Sequence, residues 1–300
     1  MFRKLHWLND RMKFLRMIRH IIFFLLYPFA RLTSKRYVPV LAYHSVDNNN
    51  SFFSVTPNEF VRQMEYLRRN YMIVSLHEVL EFVMGRRELP RKSVAITADD
   101  GYQDNYLNVY PYAKTNGLQI AIFVASGYVG KEMMLGNIPL KMLNWKEIAE
   151  MSRDKVTIGA HTVNHRDLRV VDNDEARSQI LISKTSIEEA IGQPIGYFAY
   201  PFGACAAPLF ALLKSLGFKA GFATGDGLVS QGDNPYELKR ITIDSSVSFF
   251  IFKAKLTLAT EWYNGIERTA KSLAKKFPFC RALLRSEMKI HRNGQPIDRG

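Results

Sequence analysis

Between Ser93 and Ala98 the chain reads Ser-Val-Ala-Ile-Thr-Ala and passes directly into Asp99-Asp100-Gly101. Val94 and Ile96 among small neighbours suit a strand buried on both faces, the condition of a parallel sheet covered by helices. Two acids closing such a strand lie at its C-terminal end, where α/β folds carry their chemistry. Successive strand residues point to opposite sides, so a turn at Gly101 is expected to help both carboxylates reach one cavity. Two carboxylates that close repel each other, and a cation relieves the repulsion.

Similar short runs recur along the chain. Val38–Tyr43, Tyr71–Val74, Ile120–Val124, Val156–Ala160, Tyr197–Tyr200, Ala220–Thr224 and Lys239–Ile243 all read as strands, and helical stretches separate most of them. Thr56-Pro57-Asn58-Glu59 and Ser75-Leu76-His77-Glu78 are capping boxes that open two of these helices, and Asn144-Trp145-Lys146-Glu147 starts another. Asp174 to Ile191 is a long helix ended by Gly192, and residues 126–143 read as a Gly- and Met-containing loop overhanging the strand ends. Strands alternating with helices give parallel βαβ units, and about seven strands predict a distorted or incomplete (β/α) barrel. The expected organisation is an N-terminal helix over 1–37, the barrel over 38–245 and a basic helical tail over 246–300. Cys205 and Cys280 form no disulfide framework.

His161-Thr162-Val163-Asn164-His165 follows the apolar stretch Val156–Ala160. Two histidines four apart after a strand can converge with one of the aspartates on a metal, leaving open positions for water and substrate. The plainer alternative is an acidic turn and a polar histidine loop with no common task. The two motifs together at strand ends favour a site.

Thr97-Ala98-Asp99-Asp100-Gly101 resembles the T-F-D-D-G motif of the NodB-like polysaccharide deacetylases (carbohydrate esterase family four), with Ala98 in place of Phe. His161 to His165 resembles their H-[ST]-x-x-H motif, and Ala199-Tyr200-Pro201-Phe202-Gly203 their R-x-P-Y-G motif. The resemblance spans roughly Val38 to Ile243 and implies the same distorted barrel. It implies Asp99 as the general base, and Asp100, His161 and His165 as ligands of one divalent ion, most often zinc, with cobalt or nickel as alternatives. A backbone N–H near Phe202 would join the ion in stabilising a tetrahedral oxyanion. Tyr43-His44-Ser45-Val46 resembles the Y-H-x-V motif of the biofilm poly-N-acetylglucosamine deacetylases, in which the histidine is the general acid that protonates the leaving amine. The late L-x-H motif that carries this histidine in most members is missing here. Ala199 replaces the arginine of the third motif, so another group must orient Asp99. Arg240, at a predicted strand end, is the candidate, with an external salt bridge as its alternative. Asp226 is a loose substitute for the fourth motif's acid. Tyr200 and Trp145 are candidates to stack on a sugar ring, although buried packing is the commoner use of such residues.

Charge is unevenly placed. Residues 1–38 hold nine Lys and Arg against one acid, and residues 251–300 hold eleven against four, so the net +13 belongs to the ends. That argues against a nucleic-acid-binding core and for ends that meet an anionic surface, most simply a membrane. Leu5, Leu8, Met12, Leu15, Ile18 and Ile22 recur at helical spacing among arginines and lysines, and the ten apolar residues 21–30 follow. A spanning helix needs about 20 apolar residues, so the expectation is a helix lying in a membrane interface, with packing on the barrel exterior as its alternative. The tail from Phe249 to Leu284 is amphipathic and basic, suited to covering the barrel, touching lipid or facing solvent.

Together these features predict a metal-dependent N-deacetylase of an N-acetylated glycan or lipid-linked sugar, associated with the bacterial cell envelope. An N-formyl substrate is a close variant. A catalytically silent glycan-binding barrel is the alternative from another class. A different metal-dependent barrel hydrolase would call for a second cluster of ligands, which the sequence does not display.

Overall fold

The computed structural model describes residues 2–135 and 138–276. They fall into two compact units, one of residues 36–246 and one that gathers residues up to 35 with residues from 247 onward.

The first unit is built on a nine-stranded sheet: β1 (Val38–Tyr43), β2 (Met72–Ile73), β3 (Ser93–Ala98), β4 (Ala121–Val124), β5 (Thr157–Ala160), β6 (Tyr197–Ala199), β7 (Ala220–Phe222), β8 (Leu228–Val229) and β9 (Ile241–Thr242). The order is β7-β6-β5-β4-β3-β1-β8, with β2 beside β3 and β9 beside β1. Every pair is parallel except β8 with β1. The sheet curls back on itself through residues 238–242. Leu238 bridges Phe222 of β7, and Ile241 and Thr242 pair with Leu41 and Ala42 of β1. This is the expected distorted barrel, with an irregular seam where a regular barrel has a full repeat.

The chain opens on α1 (Phe2–Ala30), which belongs to the second unit. Around the sheet run α2 (Pro57–Asn70), α3 (Leu76–Val83), α4 (Tyr110–Thr115), α5 (Trp145–Arg153), α6 (Asn173–Ile191) and α7 (Ala207–Ser215). Ser75 and Glu78 exchange both bonds of a capping box at α3, as do Asn144 and Glu147 at α5. Thr56 caps α2 through the Glu59 N–H, but Glu59 turns its carboxylate to Arg62 and Gln63 instead of returning the bond. Strands β1 and β3 are buried along their whole length. Inside the barrel Phe123 lies over Gly159, where a Cβ would come within 2.5 Å of the ring, so the glycine makes room for that ring.

The stretch 126–143 is more ordered than a loop. A short 3₁₀ turn, Ser126–Tyr128, leads into an antiparallel hairpin of Glu132–Leu135 with Ile138–Lys141. Tyr102, Met133, Leu140 and Met142 form its small core, with Phe53, Tyr128 and Ile138 against it. Likewise, the segment after Gly101 starts as a π turn over Asn105–Val109 before α4, not as a uniform α-helix.

In the second unit α1 meets α8 (Phe249–Lys255) and α9 (Ala259–Lys276). Phe23 stacks on Tyr263 with ring centroids 4.9 Å apart, and Tyr27 is edge-on to Phe250. The His20 Nδ1–H donates to the Arg16 carbonyl, so Nε2 accepts from the Ser248 hydroxyl. The tail expected as one element over Phe249–Leu284 is broken at residues 256–258, and its last part, with Cys280, lies outside the described residues. No helix among the described residues is long and apolar enough to cross a membrane.

Candidate active site

Because β1, β3, β5 and β6 run parallel, the residues that leave their C-terminal ends share one mouth of the barrel. Four of those exits line a single cavity: His44 after β1, Asp99 and Asp100 after β3, His161 and His165 after β5, and Phe202 with Gly203 after β6. Its remaining walls include Phe53, Tyr102, Met133, Tyr200, Thr224 and Thr242.

The two aspartates arrive by a backbone device placed one residue earlier than expected. Asp100 itself has φ of 71°, ahead of Gly101 at 81°, so the left-handed turn begins at the second acid and swings it into the cavity of the first. Thr162, His165 and Phe202 also have positive φ, so the loops after β5 and β6 carry strained backbone as well. At Gly203 a Cβ would lie 2.2 Å from the Thr224 backbone nitrogen, so only glycine fits there.

Asp99 and Asp100 have different partners. Asp99 accepts a two-pronged ion pair from Arg240, Nη1 to Oδ1 at 2.6 Å and Nη2 to Oδ2 at 2.7 Å. Arg240 is fully buried; it also donates from Nη1 to Thr97 Oγ1 and from Nε to the Ala223 carbonyl, and lies over the Phe123 ring. Burial, the largest single influence, would raise the Asp99 pKa, but the charge and hydrogen bonds of Arg240, joined by His161 and His44, together hold the carboxyl below its usual range. The geometry thus puts Arg240 in the orienting position, replacing the third-motif arginine absent at Ala199, and excludes the external salt bridge.

Asp100 faces the histidines. Its Oδ1 lies 3.3 Å from both His161 Nε2 and His165 Nε2, and no well-formed hydrogen bond satisfies that buried oxygen. His161 Nδ1–H donates to the Ala199 carbonyl at 2.7 Å, which leaves the Nε2 lone pair toward the carboxylate when the ring is neutral. Burial opposes charge on Asp100, yet the neighbouring histidines hold its pKa well below the carboxylate range. Burial pushes His165 down to about 4 against the pull of Asp100, whereas for His161 the two aspartates outweigh burial and raise it. The three donor atoms lie within 4.8 Å of one another. Lone pairs crowded around an unsatisfied buried oxygen, with the Ala199 carbonyl fixing one ring, are what a two-His, one-carboxylate cation site requires.

Loop anchors hold these groups still. Gln179 of α6 accepts from the Val163 and Asn164 N–H groups between the histidines. The His44 carbonyl accepts from Asn105 on the π turn, while Asp104 takes the Val46 N–H and the Ser45 hydroxyl. His44 Nδ1 is buried without a partner, and its ring packs on Phe53. In the turn Pro201–Gly203 the Gly203 and Ala204 N–H groups are spent on Tyr200 and Pro201, and neither bond uses the Phe202 N–H. The Phe202 ring is edge-on to His165 at 4.6 Å.

Residues 86–221 match the family model for polysaccharide deacetylase. Over these residues the barrel is similar to the polysaccharide deacetylases. YxkH of Bacillus subtilis, named as a member of the same class, is 28% identical over 218 residues, covering 72% of this chain and 75% of the relative. The poly-beta-1,6-N-acetyl-D-glucosamine N-deacetylase of Staphylococcus aureus is 24% identical over 213 residues, covering 67% of this chain and 71% of that one. Among solved structures, IcaB from Ammonifex degensii shares 25% identity at a TM-score of 0.64, covering 74% of this chain and 98% of that one. The Streptococcus pyogenes deacetylase PplD has the same fold, at 24% identity and a TM-score of 0.65 over 74% and 99% of the two chains.

Within this barrel the expected sugar-stacking residues need correction. Tyr200 stands in the cavity wall but is fully buried, edge-on to Phe198 and Phe210 with its hydroxyl donated to the Tyr236 carbonyl, so its ring is packed rather than open for a sugar to stack on. Trp145 does not line the cavity. The Asp226 carboxylate accepts the Thr242 N–H and fixes the seam. Sequence reasoning missed the apolar wall of Phe53, Tyr102 and Met133. The pair Gly136-Asn137 between two apolar runs is the hairpin signal that would have placed Met133.

Proposed function

We propose that this chain is a metal-dependent deacetylase that removes N-acetyl groups from an N-acetylated glycan. Its likeness to the polysaccharide deacetylases makes it a hydrolase of carbon–nitrogen bonds. The observation that carries the finer reading is the division of labour between adjacent acids, Asp99 saturated by Arg240 and Asp100 left facing two histidines.

Asp100, His161 and His165 would hold a divalent cation, zinc being the first choice for a donor set of two imidazoles and one carboxylate. When bound, such an ion supplies Lewis acidity to the amide carbonyl and acidifies a water. Asp99, ionised and locked by the guanidinium fork, accepts the proton of that water as its oxygen adds to the carbonyl carbon. The Phe202 N–H donates to the oxygen that gains charge. His44 delivers a proton to the nitrogen as the carbon–nitrogen bond breaks, leaving acetate and a free amine. Phe53, Tyr102 and Met133 offer an apolar wall for the acyl methyl group, while the sugar lies toward the open mouth.

The S. aureus relative is named for poly-N-acetylglucosamine, which makes β-1,6-linked N-acetylglucosamine oligomers the first substrate to try. Lipid-linked and N-formyl sugars follow in the same screen. Zinc content and acetate release of purified protein test the reading, with Asp99→Asn as the control. One bound ion and release abolished by the substitution support it. Metal-free protein that binds the oligomers equally well with or without Asp99, and releases nothing, establishes a glycan-binding barrel instead.

A further inference from the structure

Helix α1 wears its apolar residues outward. Met17, Ile21, Phe24, Leu25 and Phe29 are each at least half exposed, and Leu32 just beyond the helix is 83% exposed. At 100° per residue the five helical positions fall on one arc of about 140°. The opposite arc packs inward, with Phe23 and Ala30 at 1% exposure. Of the row expected from sequence, Leu15, Ile18 and Ile22 are half-buried. A segment apolar all round has buried one side and left the other in water. In the same unit α9 exposes Trp262, Ile266 and Leu273, spaced to share one face of that helix.

Soluble chains seldom leave such a row open without a partner for it. The charge around it identifies the partner. Residues 1–35 and 247–276 carry fourteen Lys and Arg against three acids, whereas residues 36–246 carry one more acid than base. Exposed Arg31 stands at the end of the row, between Phe29 and Leu32. An apolar stripe on a strongly cationic unit matches an anionic bilayer surface, where the side chains enter the acyl boundary and the basic groups meet phosphate. We infer that α1 docks this chain on an anionic membrane, lying in the interface without crossing it, with the aromatic and aliphatic residues of α9 available to the same surface.

The test is co-sedimentation of the full chain with phosphatidylcholine vesicles, with and without phosphatidylglycerol, at low and high salt. The expected result is binding that needs phosphatidylglycerol, weakens at high salt, and falls at least about tenfold in Phe24→Glu/Phe29→Glu. Phe24→Leu/Phe29→Leu should keep the binding, which separates lost apolar contact from lost fold. Acetate release from soluble oligomers should be the same in all three proteins. Absence of binding by the wild type, or binding unchanged in the glutamate variant, overturns the inference. So does a wild-type dimer that the glutamate pair converts to monomer with vesicle binding intact, since the row is then an interface between copies.

Discussion

The two units break the usual rule of burial in opposite directions. In residues 36–246 charge is inside: Asp99, Asp100, His161 and Arg240 are all 5% exposed or less. In the helical unit apolar side chains are outside, along α1 and α9. A buried charge is tolerated only when paired or ligated, and an exposed apolar row persists when something else covers it. Each inversion therefore marks a place where the fold gives up stability for a task. They differ in cost: interior charges are coupled to one another, while the outer residues of α1 lean little on the rest of the chain.

The largest effects should come from the interior. Substituting Asp100 or His161 by Ala should lower kcat/KM by about 10³-fold or more, since the Lewis acid's contribution is several kcal/mol. Bound metal, measured by elemental analysis, should fall with activity. Chelation of the wild type should give the same loss while circular dichroism stays native, because the Asp99–Arg240 pair does not depend on the cation. If chelated protein keeps full turnover, the metal reading is wrong and the histidine cluster is structural.

Next comes the guanidinium. Arg240→Ala strands Asp99 as an unpaired buried carboxylate and should cost about 3–5 kcal/mol of stability, read from urea denaturation at neutral pH. Arg240→Lys keeps the charge but loses the fork. Asp99 has its pKa depressed in the folded chain. Its contribution is therefore present above the unfolded carboxyl pKa and is lost as pH falls through the lower folded value. In Arg240→Lys the folded value rises toward the unfolded one, so the acidic limb of kcat/KM should move to higher pH while the alkaline limb stays. An unmoved acidic limb would mean that Asp99 is not the group titrating there.

How much of this contrast could be read from the chain depended on what each feature needs. Asp99, Asp100, His161 and His165 were legible because parallel strands deliver their C-terminal residues to one mouth, a consequence of topology that short motifs reveal. Arg240 was legible only as a candidate, since nothing local says that a side chain 141 residues away folds back over Phe123 to reach Asp99. The burial of Tyr200 depends on Phe198, Phe210 and Tyr236, tertiary neighbours that its motif does not name. The open row on α1 was hidden for another reason. Residues 21–30 are apolar on every side, so periodicity cannot tell which side will find a partner.

His44 tests an intermediate case, a cavity residue with a buried ring nitrogen and no ion pair. His44→Gln preserves size and one hydrogen-bonding group, so folding should be nearly untouched. Turnover on N-acetylglucosamine oligomers should drop about 10²-fold, the usual contribution of a proton donor. Activated esters with good leaving groups need no such proton, and on them the loss should shrink to a few-fold. An equal loss on both substrates would assign His44 to positioning.

The smallest effect lies on the outer helix and is the sharpest check on the comparison. Replacing Phe24 and Phe29 by Glu removes no buried contact of consequence, since both side chains are 67% exposed. Thermal stability in vesicle-free solution should therefore stay within about 0.5 kcal/mol of wild type, as for other surface substitutions. The sign is informative as well. New carboxylates among so many arginines and lysines relieve self-repulsion, so a slight gain at low salt that disappears at high salt is expected. A loss of several kcal/mol would show that these residues are part of a packed core in solution, and the opposition between a charged interior and an apolar exterior would then hold only for the barrel.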